Sequence, residues 1–159
     1  ADLRVGLGYD LHRTIAGRAL VLGNVVIPHT HGLEGHSDAD VVVHALIDAL
    51  TGAAGLPDVG QLFPNTDARY RGIDSGELLK ATTAKVSATG WRLVNADIVV
   101  LAQAPKLSPH KAAMVARLAA LLGVKGEQIN IKGKTGESVD AVGEQRAIAC
   151  HCVVLMEKA

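Results

Sequence analysis

The chain contains 159 residues, 48% of them hydrophobic, which is enough for one well-packed core and predicts a single domain over residues 1–159. Its 16 Lys and Arg residues balance 16 Asp and Glu residues, which excludes a net field that would attract nucleic acid or an anionic membrane. Aromatic residues make up only 3%, which argues against a surface that stacks nucleic-acid bases.

Hydrophobic periodicity and turn residues divide the chain into strands and helices. Gly23-Asn24 lies between two aliphatic runs and predicts a hairpin turn. Ser37, Ser75 and Ser108 each precede a helical pattern and are expected to be N-terminal caps. In chain order, the predicted elements are a strand at 3–13, a hairpin at 18–27, a loop at 28–35 that exposes His29 and His31, helices at 38–54 and 75–89, a strand at 91–102, a helix at 108–122, and strands at 128–133 and 146–156.

Segment 55–74 is a long connection rich in Gly, Pro, Asp and Asn. Loops of this length inside a compact chain are commonly lids or binding loops. A disordered surface excursion is the alternative. Phe63 and Tyr70 argue against it, because such side chains anchor a loop to the rest of the protein.

The order of elements predicts an α+β fold. Two strand–helix–strand crossings favour a ferredoxin-like sandwich, with helices on one face of a mostly four-stranded sheet and a small hairpin beside it. Residues 98–102 are apolar on both faces, so their strand is expected near the centre of the sheet. A sheet this apolar should also bury its other face, and we therefore expect an oligomer.

Cys150 and Cys152 form a C-x-C pair inside an apolar strand. They are expected to alternate across the strand, to form no bridge with each other, and to be reduced packing residues. The sequence has no run of transmembrane length and no secretory signal pattern. The cytoplasm is the simplest location, or the plastid stroma if a transit peptide has been removed.

One helix and one strand carry residues that could bind a metal ion. Asp40, His44 and Asp48 recur every four residues and form a ridge on the helix, as expected for a metal-binding histidine oriented by carboxylates. An ordinary hydrogen-bonded histidine is the alternative. Asp10 and His12 are two residues apart on the first strand and face the same side. With His44 they make a three-ligand zinc site with an open fourth position, the pattern of catalytic zinc.

Two further segments suit phosphate or nucleotide. Lys134 and Thr135 offer a cation and a hydroxyl after a strand, and Glu137 is an oxygen ligand of the kind that Mg²⁺ prefers. Segment 102–107 leaves a strand and enters a helix, so that its backbone and Lys106 could hold a base and a phosphate. A solvated polar turn and a structural strand-to-helix turn are the alternatives. Gly6-x-Gly8 is not a dinucleotide fingerprint, since position 11 is not glycine.

Six motifs stand in the order found in one enzyme family. They are Gly8-Tyr9-Asp10-Leu11-His12, His36-Ser37-Asp38-Ala39-Asp40 with His44, Asp58-Val59-Gly60, Phe63-Pro64-Asn65-Thr66-Asp67, Ala102-Gln103-Ala104-Pro105-Lys106 and Lys134-Thr135-Gly136-Glu137. Through them, residues 4–156 closely resemble the 2-C-methyl-D-erythritol 2,4-cyclodiphosphate synthase family of the non-mevalonate isoprenoid pathway. The resemblance implies a homotrimer with active sites between subunits. It also implies a lyase that cyclises 4-diphosphocytidyl-2-C-methyl-D-erythritol 2-phosphate to 2-C-methyl-D-erythritol 2,4-cyclodiphosphate and releases CMP.

The resemblance further implies the roles of particular residues. Asp10, His12 and His44 would bind Zn²⁺, and Glu137 would hold Mg²⁺ or Mn²⁺ against the substrate phosphates. The implied catalytic residues, which stabilise developing charge, are His36 and Thr135. The implied substrate-binding residues are Asp10, His12, His36, Ser37, Asp58, Gly60, Phe63, Asn65, Asp67, Ala102, Ala104, Pro105, Lys106, Leu107, Lys134, Thr135 and Glu137, with Asp58 and Gly60 at the erythritol and residues 102–107 at the cytidine.

Three positions depart from the family pattern. Asn65 replaces a commoner Asp, and Ala141 and Glu144 replace the frequent Phe and Arg of the segment at the trimer centre. Because of the last two departures, we do not assign to this segment the family's role of binding an isoprenoid diphosphate on the trimer axis. Two other functions fit the same residues. One is a zinc phosphohydrolase, and the other is a trimeric nucleotide-sensing regulator in which His44 is structural.

Overall fold

The computed structural model describes residues 2–159, which fold around one hydrophobic core. The strands are β1 (Leu3–Ala16), β2 (Leu20–Leu22), β3 (Val25–Ile27), β4 (His31–Leu33), β5 (Trp91–Leu101), β6 (Ile129–Lys134) and β7 (Ala147–Lys158). The helices are α1 (Val41–Ala54), α2 (Val59–Leu62), α3 (Ser75–Ala88), α4 (Lys111–Leu122) and α5 (Asp140–Gly143). No helix in the described part of the chain is long and apolar enough to cross a membrane.

A five-stranded sheet in the order β4-β1-β7-β5-β6 forms the main layer, and β2 and β3 form a separate hairpin. The pair β5–β6 is parallel and the others are antiparallel. The predicted mixed fold is confirmed, as is the interior position of β5. The expected four-stranded sheet was wrong by one strand, because β4 lies within the predicted loop 28–35 and pairs with the end of β1. Both Gly23 and Asn24 adopt positive φ angles, 60° and 61°, as a type I′ hairpin turn requires.

Asp40, rather than Ser37, caps α1. Its carboxylate is fully buried and accepts the backbone N–H groups of Val42 and Val43 in the first turn. It also accepts the N–H groups of Gly23 and Asn24 in the hairpin turn. Burial raises the pKa of Asp40 to about 6, although the backbone donors oppose this rise. A single side chain therefore joins the hairpin to the start of α1.

The two other predicted serine caps were also misplaced. Asp74 caps α3 by accepting the Gly76 N–H at 2.7 Å, and Ser75 is the first residue inside the helix. Ser108 begins a short 3₁₀ turn, and α4 starts only at Lys111. Aspartate and serine both serve as caps, so sequence preference does not separate neighbouring candidates.

Cys150 and Cys152 are free and fully buried in the core. The expectation that they alternate across the strand was wrong, because residues two apart on a strand face the same side. Burial raises the pKa of both thiols, that of Cys152 to about 12. Both therefore remain protonated and serve as packing residues.

Gly6 and Gly8 allow α1 to lie directly on β1. A Cβ atom at Gly8 would lie 1.7 Å from the carbonyl oxygen of Ala45, and one at Gly6 would lie 1.8 Å from that of Ala49. Side chains at these positions would therefore force the helix away from the strand. The same face of β1 continues to Asp10, level with the first turns of α1.

Replacing Gly8 with Ala should displace α1, because the added carbon meets backbone that cannot rotate away. We expect a loss of unfolding free energy of more than about 3 kcal/mol, at or above the usual range for overpacking. Gly52→Ala is the matched control on the same helix, since a Cβ there has no neighbour within 4 Å. That variant should gain about 0.5–1 kcal/mol from helix propensity. Urea unfolding followed by circular dichroism measures both, and a Gly8→Ala variant as stable as the parent would contradict the close contact.

Candidate active site

Three predicted metal-binding residues converge at the junction of β1 and α1. The Oδ2 atom of Asp10 lies 3.0 Å from Nε2 of His12 and 3.1 Å from Nδ1 of His44. One possible ligand atom from each residue falls within a group no more than 4.8 Å across. The spacing of Asp10 and His12 on β1 and the close seating of α1 produce this convergence.

Hydrogen bonding fixes the ring of His12. Its Nδ1 atom lies 2.7 Å from the carbonyl oxygen of Glu34. Because a carbonyl only accepts, Nδ1 carries the proton and Nε2 is the atom that faces Asp10. Two electron-rich atoms, a neutral imidazole nitrogen and a carboxylate oxygen, then face each other at hydrogen-bond distance. Either a proton or a metal ion between them relieves the repulsion.

The charges of this cluster are coupled. Burial acts to raise the pKa of Asp10, but hydrogen bonds from His12 and His44, together with the positive charge that these imidazoles carry when protonated, lower it to about 2. Burial acts to lower the pKa of His12. The hydrogen bond to Asp10 and the negative charge of Asp10 act in the opposite direction, and the pKa of His12 is raised overall. An ionised carboxylate beside two imidazoles is a donor set that fits Zn²⁺.

Neither Asp40 nor Asp48 hydrogen-bonds to the ring of His44, contrary to the predicted carboxylate ridge. Asp40 is committed to backbone N–H groups of the hairpin and α1. Asp48 accepts the N–H of Val59 at 2.7 Å and holds the start of α2; burial raises its pKa. The second nitrogen of His44, Nε2, instead lies 3.1 Å from Oγ of Ser75. Sequence analysis assigned Ser75 only a capping role.

The cluster opens into a cavity of about 360 Å³, which we call the Asp10 cavity. It is lined by Asp10, His12, Gly35, His36, Ser37, His44, Val59, Gly60, Phe63, Pro64, Asn65, Tyr70 and Leu78. Segment 55–74 forms one wall, and the rings of Phe63 and Tyr70 meet edge to face at 5.5 Å and pack against the core. The predicted anchoring of this segment is confirmed.

Two acidic residues of segment 55–74, both predicted to bind substrate, are not among the residues that line this cavity. Asp58 caps α2 by accepting the N–H of Gln61 at 2.9 Å. Asp67 pairs with Arg69 at 2.7 Å, and the hydrogen bonds from Arg69 lower the pKa of Asp67. The backbone carbonyl of Asp67 accepts a hydrogen bond from Nε2 of His36 at 3.1 Å. Asp58 and Asp67 therefore stabilise the fold of this segment, whereas Gly60, His36 and Asn65 line the cavity itself.

A second cavity, of about 370 Å³, lies where β5 and β6 end. We call it the lysine cavity. Its lining residues are Ala102, Gln103, Pro105, Lys106, Leu107, Ser108, Lys111, Gly133, Lys134 and Thr135. Three lysines and two hydroxyls make it suitable for an anionic ligand. Sequence analysis missed Ser108 and Lys111, which the short 3₁₀ turn brings to the cavity.

Two predicted residues lie outside the lysine cavity. Ala104 lines a smaller cavity of about 90 Å³ beside His29 and His31. Glu137 is exposed, with φ of 53°, and its N–H donates to Oγ1 of Thr135 at 3.2 Å. The side chain of Gln103 accepts the N–H of Gly136 at 3.1 Å and holds this segment beside residue 103.

The two cavities lie at the same end of the sheet but share no lining residue. Asp10 pairs with Cys150 on β7, and the neighbouring Ala149 pairs with Leu101 on β5. The backbones of β1 and β5 are therefore about 10 Å apart at this level. The two cavities are therefore separate sites on one subunit, one carrying a carboxylate–imidazole cluster and the other carrying lysines.

Comparisons with known proteins agree over nearly the whole length. A sequence profile of the YgbB family matches residues 3–157. The 2-C-methyl-D-erythritol 2,4-cyclodiphosphate synthase of Bordetella petrii is 55% identical over 156 residues, which cover 98% of this chain and 96% of the relative.

Solved structures extend the comparison to the fold. The bifunctional IspDF of Campylobacter jejuni has a TM-score of 0.96 at 40% identity; the match covers 99% of this chain but only 43% of that longer one. IspF of Plasmodium falciparum, solved as a CDP complex, has a TM-score of 0.88 at 31% identity, covering 99% of this chain and 97% of that one. The chain belongs to the YgbB family, whose members similar to it are 2-C-methyl-D-erythritol 2,4-cyclodiphosphate synthases.

Proposed function

We propose that this enzyme cyclises 4-diphosphocytidyl-2-C-methyl-D-erythritol 2-phosphate to 2-C-methyl-D-erythritol 2,4-cyclodiphosphate, with release of CMP, in isoprenoid precursor biosynthesis. The observation that carries the proposal is the convergence of Asp10, His12 and His44 on one cavity, in a chain that matches named synthases almost end to end. The CDP in the Plasmodium falciparum IspF structure supports a cytidine nucleotide as part of the ligand.

The metal centre has one carboxylate and two imidazoles. Asp10, His12 and His44 would hold Zn²⁺, leaving a fourth position for a substrate phosphate. Glu137 would hold Mg²⁺ or Mn²⁺ against the phosphates, and its exposure leaves its carboxylate free to do so. When bound, the two cations neutralise phosphate charge and so lower the repulsion between the reacting groups.

The reaction needs no protein nucleophile. The 2-phosphate of the substrate attacks its own β-phosphorus, a new phosphorus–oxygen bond closes the ring, and the bond to CMP breaks. The work of the chain is to fold a flexible anion into the ring-closing geometry, and orientation of this kind is worth roughly 7–11 kcal/mol.

His36 and Thr135 are the proposed catalytic residues. The carbonyl of Asp67 holds the ring of His36 at the wall of the Asp10 cavity, where His36 and Ser37 would contact the erythritol phosphate. Thr135 lies in the lysine cavity beside Lys134 and would stabilise charge from the nucleotide side. Lys106 and the rest of segment 102–107 would bind the cytidine.

The enzyme assembles as a homotrimer in which the Asp10 cavity of one subunit faces the lysine cavity of its neighbour. This arrangement is supported by the two cavities having no lining residue in common. It is also supported by the open face of β1, where Val5 and Leu7 are 69% and 66% exposed and form an apolar stripe with Leu3, Tyr9 and Leu11. The ferredoxin-like subunit, one domain over residues 1–159, places its helices on the opposite face. The proposed location is the cytoplasm, or the plastid stroma if a transit peptide is removed.

The reaction is tested directly with the diphosphocytidyl substrate, Zn²⁺ and Mg²⁺, followed by phosphorus NMR. We expect CMP and the cyclic diphosphate to appear together in equal amounts. Inorganic phosphate without a cyclic product would indicate a phosphohydrolase instead. Tight nucleotide binding without turnover would indicate a regulator.

His44→Ala should remain folded but lose bound zinc and activity, because one of three ligands is removed. The loss of zinc affinity should exceed the roughly 10–100-fold that removal of a supporting residue costs. His29→Ala is the matched control, an exposed histidine outside the Asp10 cluster, and should bind zinc like the parent. Metal content and competition with a chelator give the affinities, and normal zinc binding by His44→Ala would refute the ligand assignment.

Val5→Glu should break the trimer, because it places charge in the apolar face of β1. Val26 on β3 is equally exposed, at 68%, but lies on the separate hairpin, so Val26→Glu is the control. Light scattering should show a monomer for Val5→Glu and a trimer for Val26→Glu. Turnover should fall with the trimer, and a fully active monomer would contradict a site shared between subunits.

A further inference from the structure

The ring of His44 is connected on its far side to a buried hydroxyl and a carboxylate. Its Nε2 atom lies 3.1 Å from Oγ of Ser75, which is completely buried at the start of α3. Oγ of Ser75 also makes a short hydrogen bond to Oδ1 of Asp38, and the other oxygen of Asp38 accepts the backbone N–H of Ser75 at 2.9 Å. His44, Ser75 and Asp38 therefore form a chain of hydrogen bonds leading away from the Asp10 cluster.

The chemistry of these groups determines which one donates and which one accepts in each hydrogen bond. An ionised carboxylate only accepts, so the hydroxyl of Ser75 donates to Asp38. That hydroxyl has no second proton, and its remaining lone pairs accept from Nε2–H of His44. A neutral imidazole with its proton on Nε2 has its lone pair on Nδ1, the atom that lies 3.1 Å from Asp10.

We propose that Ser75 and Asp38 are positioning residues that hold the proton of His44 on Nε2, so that Nδ1 is presented to the metal ion. This inference rests on the proposed metal centre of the preceding section. In this role, Ser75 and Asp38 do for His44 what the carbonyl of Glu34 does for His12. The nitrogen that keeps the proton is Nε2 in His44 and Nδ1 in His12.

Other groups near His44 are less suited to this role. Oγ of Ser37 lies 3.4 Å from Nε2 and already accepts the N–H of Ala39 at 3.1 Å. Asp40 accepts backbone N–H groups through both of its oxygens, and Asp48 accepts the N–H of Val59; neither hydrogen-bonds to His44. Ser75 is therefore the closest hydroxyl and the one backed by a carboxylate.

The same series of hydrogen bonds joins the proposed metal centre to the segment that carries His36 and Ser37. Asp38 follows them directly, and its backbone N–H donates to the carbonyl of Ile73 at 3.2 Å. The carbonyl of His36 accepts the N–H of Gly72 at 2.7 Å. Loss of the Ser75 hydroxyl is thus expected to affect the orientation of His44 without removing the backbone bonds that hold this segment.

Ser75→Ala tests the proposal in two measurements that do not depend on turnover. The first is zinc affinity, determined by competition with a chelator, which should fall by roughly 10-fold or more. The second is the Nε2–H proton of His44 in ¹⁵N-histidine-labelled, zinc-loaded enzyme. This proton should be visible and slow to exchange with water in the parent, and should exchange up to about 10-fold faster in Ser75→Ala, as expected for the loss of one hydrogen bond.

Two variants of the same helix serve as controls. Ser87→Ala removes an exposed hydroxyl at the other end of α3, and Asp74→Asn alters its N-cap without touching His44. Both should match the parent in zinc affinity and in exchange of the His44 proton. Asp38→Asn should weaken zinc binding like Ser75→Ala, because the hydroxyl loses its charged acceptor.

The outcomes separate this inference from the metal centre itself. A parent enzyme that binds no zinc refutes the metal centre. A parent that binds zinc, with Ser75→Ala unchanged in both measurements, overturns the positioning role while leaving the centre intact. A Ser75→Ala variant that loses affinity but keeps the slowly exchanging Nε2–H also overturns it, since the loss would not act through that proton.

Discussion

The backbone contact between α1 and β1 is the constraint on which the rest of the molecule depends. Because Gly6 and Gly8 have no Cβ atom, the helix lies closer to the strand than any other residue at these positions would permit. Close packing of this kind is rigid, because neither backbone can rotate out of the contact. It fixes His44, on α1, beside Asp10, on β1, and the proposed metal centre follows from that placement.

Two carboxylates, one at the N-cap of α1 and one within it, hold neighbouring segments through their backbone N–H groups. Asp40 holds the β2–β3 hairpin by its turn, and Asp48 holds the first residue of α2. A buried carboxylate is costly unless donors surround it, and here the donors are backbone N–H groups of the segments being held. Asp40 and Asp48 thus act on the hairpin and on the start of α2, and the orientation of His44 falls to Ser75 and Asp38.

The two cavities of one subunit share no lining residue and differ in their chemistry. The Asp10 cavity contains one carboxylate and two imidazoles that fit a metal ion, and the lysine cavity contains three lysines and two hydroxyl groups that suit an anion. A substrate with a diphosphate between a cytidine and a sugar phosphate has a part suited to each. Assembly through the apolar face of β1 would bring such parts together and would bury side chains that are otherwise costly to expose.

The sequence by itself determined the local features of this protein and the identity of its family. The order of the major strands and helices, the Gly23-Asn24 turn and the anchoring of segment 55–74 follow from periodicity and residue type. Only the tertiary structure decided the partner of His44, the side on which Cys150 and Cys152 lie in the core, the pairing of β4 with β1, and the choice of Asp40 over Ser37 as a cap. Ser75 is 31 positions from His44, so no local pattern could pair them. Such choices depend on which groups lie together once the chain is packed, because a hydrogen bond depends on distance and direction in space rather than on separation along the sequence.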